Sequence, residues 1–237
     1  DLEALLSAVT SDTRALLINA PGNHTGWTLT RVEQQAILEH CRRTGTWIVA
    51  DEVYERLYYG DAAAAPSFLD IACEDDRLIV THSFSKSFLM TGWRLGWLVL
   101  PRGHLDAAAK LIEFNTSCAP VFVQRGALEA LRIAPDFVPA LVRRMREGRD
   151  RLVDALMALP GVDVARPVGG MYAFFRVAGQ ADSLAFARRL VEQHGLGLAP
   201  GIAFGPEGEG WLRWCFASRD PARLDAGAGR MAAALGL

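Results

Sequence analysis

The chain has 237 residues, 51% of them hydrophobic, which is enough to bury the core of one large or two modest domains. Its 27 acidic and 25 basic residues leave a formal charge of -2, so no overall field would draw it to nucleic acid or to an anionic membrane. No apolar run reaches the length of a membrane span, and the four cysteines are too widely spaced for a zinc knuckle or a redox pair, so we expect a globular chain without a metal site.

Strand and helix patterns alternate through the first half of the chain. Thr30 and Glu33 have the spacing of a capping box at the start of a helix, and Gly45 ends that helix after about Thr44. Apolar runs of strand length lie before and after it. The predicted strands are Arg14–Asn19, Thr46–Asp51, Arg77–Thr81 and Arg94–Leu100. The alternation predicts an α/β fold, with a mostly parallel sheet covered by helices.

The second half becomes helical and then changes to shorter elements. A helical pattern is predicted from Gly103 to about Leu159, and it includes Pro135–Ala158, where five arginines alternate with acidic residues in a pattern typical of a solvated face. The shorter elements are the strands Val162–Ala165, Gly170–Val177, Gly197–Pro200 and Gly210–Ala217, the helix Ser183–His194 and a final helix from Pro221. We therefore predict a large domain over residues 1–140 and a small α+β domain over residues 141–237, entered through the long helix.

Lys86 is the first candidate functional residue. The chain contains only two lysines, Lys86 and Lys110, and Lys86 lies in a Ser-Phe-Ser-Lys loop between two apolar runs. An Arg-rich composition alone can explain the scarcity of lysine. A desolvated lysine amine beside hydroxyls and an arginine is, however, suited to forming a Schiff base with a carbonyl compound.

Other polar residues follow the predicted strands, where ligands collect in open α/β sheets. They are Asn23, Asp51, Tyr54, Ser83, Ser85 and Arg94. A carboxylate can keep a ring nitrogen protonated, and serine with arginine can bind phosphate oxygens. Each residue also has a structural interpretation, as a strand cap, a packed aromatic or a turn former. Their convergence on one sheet edge favours a site for an aromatic, phosphorylated aldehyde.

Ser83-Phe-Ser-Lys86 also matches the Ser-x-x-Lys motif of penicillin-recognising acyl enzymes, with Ser83 as nucleophile. Those enzymes carry Ser-Asp-Asn and Lys-Thr-Gly as well. The chain has no Ser-Asp-Asn, and Lys110 is followed by Leu111 and Ile112. The acyl-enzyme interpretation is therefore disfavoured.

Four ordered motifs resemble those of the class I and II aminotransferases, which are pyridoxal-phosphate enzymes of fold type I. They are Asn19-Ala-Pro-Gly-Asn-His-Thr-Gly26, Asp51-Glu-Val-Tyr54, Ser83-Phe-Ser-Lys86 followed by Thr91-Gly-Trp-Arg94-Leu-Gly96, and Trp211-Leu-Arg213-Trp-Cys-Phe-Ala217. The match runs the length of the chain. His24 departs from it, because the family usually has a second proline there, and this puts the loop's usual turn geometry in doubt.

The resemblance implies a role for each matching residue. Lys86 would be the Schiff-base lysine and the base that moves a proton between the substrate Cα and the cofactor. Asp51 would pair with the pyridine nitrogen, Asn23 and Tyr54 with the ring hydroxyl, and Ser83, Arg94 and Ser85 with the phosphate. Arg213 would bind the substrate α-carboxylate, with Arg166 and Arg176 as weaker candidates.

The resemblance also implies an assembly and a missing part. Family members carry a long segment before the first motif, with a phosphate-binding loop and a stacking aromatic, so we expect this chain to be the C-terminal portion of a cytoplasmic homodimer. The expected reaction moves an amino group from an α-amino acid to a 2-oxo acid. Two alternatives remain: a lyase or decarboxylase on the same cofactor, and an aminotransferase-like domain of a transcription regulator. In those regulators the lysine loop tends to read Pro-Gly-Leu-Arg where this chain has Thr91-Gly-Trp-Arg94.

Overall fold

The computed structural model describes residues 1–237, which form two compact units. The first unit comprises Asp1–Pro21 and Thr28–Leu141, and the second comprises Gly22–Trp27 and Val142–Leu237. The helices are α1 Leu2–Ala8, α2 Arg31–Thr44, α3 Phe84–Ser87, α4 Leu105–Thr116, α5 Val121–Met157, α6 Ser183–His194 and α7 Ala222–Ala234. The strands are β1 Ala15–Asn19, β2 Trp47–Asp51, β3 Leu78–Ser83, β4 Gly96–Val99, β5 Val162–Val164, β6 Tyr172–Val177, β7 Ala199–Pro200 and β8 Trp211–Cys215.

A four-stranded sheet in the order β1-β2-β3-β4 organises the first unit. The first three strands are parallel, with Asn19 opposite Asp51 and Asp51 opposite Thr81. Side chains alternate across each strand, so Ile48, Ala50, Leu78 and Val80 share the buried face. With the helices described below, this confirms the predicted α/β class and mostly parallel sheet.

Helix α2 covers the buried face of this sheet. Ile37, Leu38 and Cys41 are spaced so that they share one side of the helix, and all three are buried in the same core cluster as β1–β3. The predicted ends are confirmed: Thr30 and Glu33 form a capping box, and Gly45 takes a left-handed conformation with φ 72°.

Strand β4 is antiparallel to β3, so its start lies beside the end of β3. The connection of residues 84–95 contains only the single turn α3 and a 3-10 turn, without the long helical crossover that usually joins parallel strands. Gly96 makes the close pairing feasible, because a Cβ at that position would lie 2.4 Å from the carbonyl oxygen of His82.

Helices α4 and α5 lie within the helical stretch predicted from Gly103 to about Leu159, and α5 passes through both Pro135 and Pro139. A buried stripe continues through both prolines at helical spacing: Ala127, Ala130, Ala134, Val138, Leu141 and Met145. Packing of this stripe offsets the hydrogen bonds that the two prolines remove.

The second unit contains an antiparallel sheet in the order β5-β6-β8-β7, with α6 and α7. Ala173, Phe175 and Leu212 lie on its buried face, while Tyr172, Phe174 and Arg213 lie on the more open face. The predicted helix Ser183–His194 is found at those bounds. None of the helices in the structure is both long and apolar enough to cross a bilayer. The assignment of residues 1–140 and 141–237 as a cofactor-binding and a small domain remains a prediction.

Candidate active site

Lys86 lies in α3, the single helical turn that follows β3. The hydroxyl of Ser83 caps this turn by accepting a hydrogen bond from the Ser85 backbone N–H at 3.0 Å. The Lys86 Nζ lies 5.4 Å from the centre of the Tyr54 ring, a cation–π distance. Tyr54 is fully buried, so the ring is a fixed platform for the lysine amine. The Ser83 hydroxyl serves the local fold, although its role as a phosphate ligand stays a prediction.

Arg94 contacts the same turn from the start of β4. Its Nη1 donates to the Thr91 carbonyl at 2.9 Å and to Ser85 Oγ at 3.5 Å. The backbone of Arg94 is left-handed, with φ 52°, and Leu89 is also left-handed, with φ 54°. Such conformations cost of order 1–3 kcal/mol in non-glycine residues and cluster at ligand sites. The loop is therefore held in a strained shape that aims a guanidinium at Ser85.

Asp51 ends β2 on the face opposite the buried core. Its carboxylate accepts a hydrogen bond from the Val53 backbone N–H at 3.3 Å, and its carbonyl accepts one from Asn19 Nδ2 at 3.1 Å. Thr81 lies beside it in β3, on the same face. The acid is thus partly exposed at the carboxyl end of the parallel strands.

The structure brings six of the eight predicted site residues to one edge of the first sheet. Strands β2 and β3 end there, and β4 begins there because it runs antiparallel, with Ser83 opposite Gly96. The six residues are Asp51, Tyr54, Ser83, Ser85, Lys86 and Arg94. An amine, a carboxylate and an arginine–serine pair at one sheet edge have the chemistry needed for an aldehyde that carries a basic ring and a phosphate.

The other two residues, Asn23 and Arg213, belong to the second unit and hydrogen-bond each other. Arg213 Nη1 donates to Asn23 Oδ1 at 2.6 Å. The guanidinium carbon lies 4.1 Å from the Tyr172 ring centre and 4.4 Å from that of Phe204. Two aromatic rings and one amide therefore fix the arginine in position.

Arg213 differs from the neighbouring arginines in having no carboxylate partner among the ion pairs of the chain. Arg166 pairs with Asp150 and Asp154, and Arg176 pairs with Asp163. The charge of Arg213 is therefore balanced by no acid of the chain, whereas the two weaker candidates are neutralised locally. This separates Arg213 from its rivals as the carboxylate-binding candidate.

His24, which replaces the usual proline of the first motif, packs beside this arginine. Its ring stacks on Phe204 at 5.1 Å with an interplanar angle of 18°. Burial lowers the pKa of His24, and the charge of Arg213 lowers it further. The motif loop keeps its place without the proline, since the Gly26 carbonyl accepts hydrogen bonds from the backbone N–H groups of Val168 and Gly169.

Tyr172 and Phe204 were not identified from the sequence. Tyr172 lies on the same face of the sheet as Arg213, and this is visible only once the pairing of β6 with β8 sets the register. Phe204 ends the short 3-10 helix Gly201–Phe204 that follows β7, and it has no periodic signal. An aromatic residue at a strand position is ordinary, so neither residue stands out in the sequence alone.

The chain matches the family model described as aminotransferase class I and II over residues 1–231. It is 35% identical over 222 residues to an aspartate aminotransferase from Musicola paradisiaca, covering 91% of this chain and 54% of that protein. It is 34% identical over 215 residues to an arginine–pyruvate transaminase from Pseudomonas aeruginosa, covering 89% and 53%. The chain therefore spans about half the length of the curated relatives it matches.

The comparison of folds also finds aminotransferases. A crystal structure of an aromatic aminotransferase from Pyrococcus horikoshii superimposes with a TM-score of 0.92 at 30% identity, covering 100% of this chain and 63% of that one. The family model and the superimposed structure both cover all four motifs of the candidate site. The chain belongs to the class I and II aminotransferase family.

Proposed function

We propose that this chain provides the catalytic lysine and the carboxylate-binding arginine of a pyridoxal-phosphate-dependent aminotransferase. The observation that carries the proposal is the sheet edge of the first unit, where Lys86, Asp51 and the Ser85–Arg94 pair meet. Family membership supports the reaction class. The proposed reaction moves an amino group from an α-amino acid to a 2-oxo acid.

The residues of the first unit fit pyridoxal phosphate in chemical type. Arg94 makes no ion pair with a carboxylate, so its guanidinium can take a phosphate in its planar fork. Ser83 and Ser85 supply hydroxyls beside it, and Asp51 supplies the carboxylate for a protonated ring nitrogen. We assign contacts with the ring hydroxyl to Tyr54 and to Asn23 of the second unit.

When bound, pyridoxal phosphate supplies an aldehyde that reacts with amines and a ring that withdraws electrons from the substrate Cα. Lys86 supplies the amine that holds the cofactor. Lys86 Nζ would also act as the base that takes the proton from the substrate Cα and passes it to the cofactor. Asp51 keeps the ring nitrogen protonated and so maintains the withdrawal of electrons.

Arg213 orients the amino acid by a bidentate contact with its α-carboxylate. Asn23 and the rings of Tyr172 and Phe204 hold the guanidinium in one position, which limits the ordering that substrate binding requires. The relatives bear names that refer to aspartate, arginine with pyruvate, and aromatic amino acids. Our proposal is therefore limited to the α-amino acid and 2-oxo acid groups.

The two lysines make a direct test possible. The chain is incubated with pyridoxal phosphate, reduced with borohydride and digested, and the modified lysine is located by mass spectrometry. We expect the label on Lys86, no label in Lys86→Arg and full label in the control Lys110→Arg. A label confined to Lys110 contradicts the assignment. Oxo-acid-dependent transfer of a 15N amino group in the whole protein separates an aminotransferase from a lyase.

Arg213 is tested in the active protein by the apparent affinity for the amino acid. Arg213→Ala removes the carboxylate partner, so we expect the KM for the amino acid to rise by about a hundredfold, the loss of two charge-assisted hydrogen bonds. The matched control is Arg176→Ala, which removes an arginine already paired with Asp163. Equal effects of both substitutions would contradict the assigned role.

We also propose that the whole protein is a cytoplasmic homodimer. Cys41, Cys73 and Cys118 are free thiols, which suits a reducing compartment. Large apolar side chains are exposed along α4 and the first turn of α5, including Phe114 and Phe122 at 92% and 72%. Exposed apolar surface of this kind marks an interaction site. Sedimentation of the whole protein at micromolar concentration tests the dimer, and a monomer would contradict it.

A further inference from the structure

A cluster of metal-ligand side chains lies in the first unit, outside the residues assigned above. Glu52, Glu55 and His82 each place one ligand atom within 4.8 Å of the other two. Glu52 is 2% exposed and His82 is 7% exposed. A buried carboxylate and a buried imidazole beside a second, partly exposed carboxylate need a cation or a set of hydrogen bonds to balance them.

The sheet register explains why these residues meet. Ile48 lies opposite Leu78 and Ala50 opposite Val80, and both pairs share the buried face. Glu52, directly after β2, and His82, in β3, lie two residues beyond Ala50 and Val80 and therefore occupy the same face beyond the last apolar pair. Glu55 joins them one turn after Glu52. Asp51 lies on the opposite face, so the cluster is separate from the proposed cofactor site.

His82 supplies the observation that points to a ligand. Its Nδ1 is buried and has no hydrogen-bond partner, and the nearest charged atom is Glu55 Oε2 at 3.3 Å. The ring is held in place by stacking on Trp97, with centroids 4.9 Å apart. A buried ring nitrogen that faces two carboxylates and lacks a hydrogen bond has the arrangement of a metal ligand.

Glu52 is already oriented by other groups. Its Oε2 accepts a hydrogen bond from Ser67 Oγ at 2.5 Å, and its Oε1 accepts one from the Phe68 backbone N–H at 3.0 Å. Outer hydrogen bonds of this type fix ligating carboxylates. Arg56 Nε lies 3.3 Å from Glu55 Oε1 and leaves Glu55 Oε2 facing His82.

We propose that Glu52, Glu55 and His82 form a binding site for one divalent first-row transition-metal ion, of which Zn²⁺ fits best. Magnesium and calcium favour oxygen ligands alone, whereas zinc accepts imidazole nitrogen together with carboxylate oxygen. Zinc holds ligand atoms at about 2.0–2.2 Å, so they lie about 3.4 Å apart in a tetrahedral site. The Glu55 side chain is 20% exposed, so it has room to close the remaining gap and gives the ion a path from solvent.

The site would hold the ends of β2 and β3 together directly before the lysine loop. Its fourth position remains for a water molecule, as in zinc sites with three protein ligands. The expected role is structural, and the ion should raise the stability of the first unit by mass action.

Metal binding is measured on the whole 237-residue chain, without pyridoxal phosphate. The chain is stripped with a chelator, its three exposed cysteines are alkylated, and Zn²⁺ is titrated in competition with a chromophoric chelator. We expect one ion per chain and a rise in Tm on adding Zn²⁺. His82→Asn and Glu55→Gln should each weaken binding by at least about a hundredfold, since outer-shell changes alone cost 10–100-fold.

The controls are His194→Asn and Glu74→Gln, which change a histidine and an exposed glutamate elsewhere in the chain. Both should bind Zn²⁺ as the wild type does. Absence of stoichiometric binding to the wild type, or unchanged affinity in Glu55→Gln, overturns the proposal and leaves a His82–Glu55 ion pair as the role of the cluster. If His82→Asn fails to fold, Glu55→Gln decides, because Glu55 is the most exposed of the three. Co²⁺ in place of Zn²⁺ gives a second readout: absorption bands that disappear in Glu55→Gln.

Discussion

Gly26→Ala is the substitution that most directly tests how the first motif is held. Gly26 has φ 65°, and a Cβ there would lie 2.4 Å from Pro167 Cβ and 2.5 Å from the carbonyl oxygen of Gly169. The left-handed backbone costs an L-residue about 1–2 kcal/mol, and the overlap adds about 1–3 kcal/mol. We expect a total loss of about 2–5 kcal/mol and displacement of Asn23 from Arg213.

Gly179→Ala is the matched control, because Gly179 has φ 78° in the same unit with no atom within 4 Å of the added Cβ. It should cost only the backbone contribution of about 1–2 kcal/mol. Urea unfolding followed by circular dichroism gives the whole-chain loss. Amide hydrogen exchange at Val168 and Gly169, which donate to the Gly26 carbonyl, reports the second unit alone. Equal losses in both variants, with unchanged protection of the two amides, would refute the proposed close packing.

Three further predictions concern stability. Thr30→Ala removes the side-chain acceptor of the capping box and should cost about 1 kcal/mol in thermal unfolding, while Thr30→Ser should retain it. Arg42 holds the pKa of Asp76 below its ordinary 3.8, so this carboxylate stabilises the fold above pH 3.8. The stabilisation is lost as the pH falls through the lower pKa that Asp76 has in the folded state. Asp76→Asn should therefore flatten the acid limb of a pH–stability curve. Burial and Arg213 hold the pKa of His24 below 6.5, so the wild type should lose stability as pH falls below 6.5, and His24→Phe should lose less while keeping the aromatic contact.

Local signals in the sequence were sufficient for several elements. The ends of α2 follow from a threonine cap and a glycine stop, and the bounds of α6 follow from its apolar spacing and from Gly195 directly after it. Caps and stops are decided by the residues themselves, since they satisfy backbone groups within one turn. Tertiary packing does not need to be known for these predictions.

Helix α5 shows where local signals are insufficient. Pro135 and Pro139 are strong local reasons to interrupt a helix, and the continuation of α5 from Val121 through both prolines depends on a buried stripe. The direction of β4 also depends on the fold, because an isolated strand has no direction in its composition. The length of the preceding loop is the only sequence feature that bears on it.

The candidate site also has some features that the sequence predicts and others that only the fold reveals. Lys86, Asp51 and Arg94 could be named from sequence because their motif positions are fixed along the chain. Two contacts could be found only from the folded structure: the Ser83 hydroxyl caps the helical turn that follows it, and Asn23 holds Arg213. Asn23 and Arg213 lie far apart in the sequence, and no spacing rule connects them.

Asp51 and Glu52 show how one strand end can serve two different purposes. Side chains alternate along a strand, so Asp51 lies on the open face and Glu52 on the buried face, although the two acids are neighbours in sequence. Burial raises the pKa of Glu52 to about 7, despite hydrogen bonds from Ser67 and Phe68 that lower it. On the open face, the proposed role of Asp51 requires a charged carboxylate beside the ring nitrogen. The faces of β2 therefore separate the proposed cofactor contact from the proposed metal ligand, and a pair of adjacent acids after a buried strand should be interpreted one face at a time.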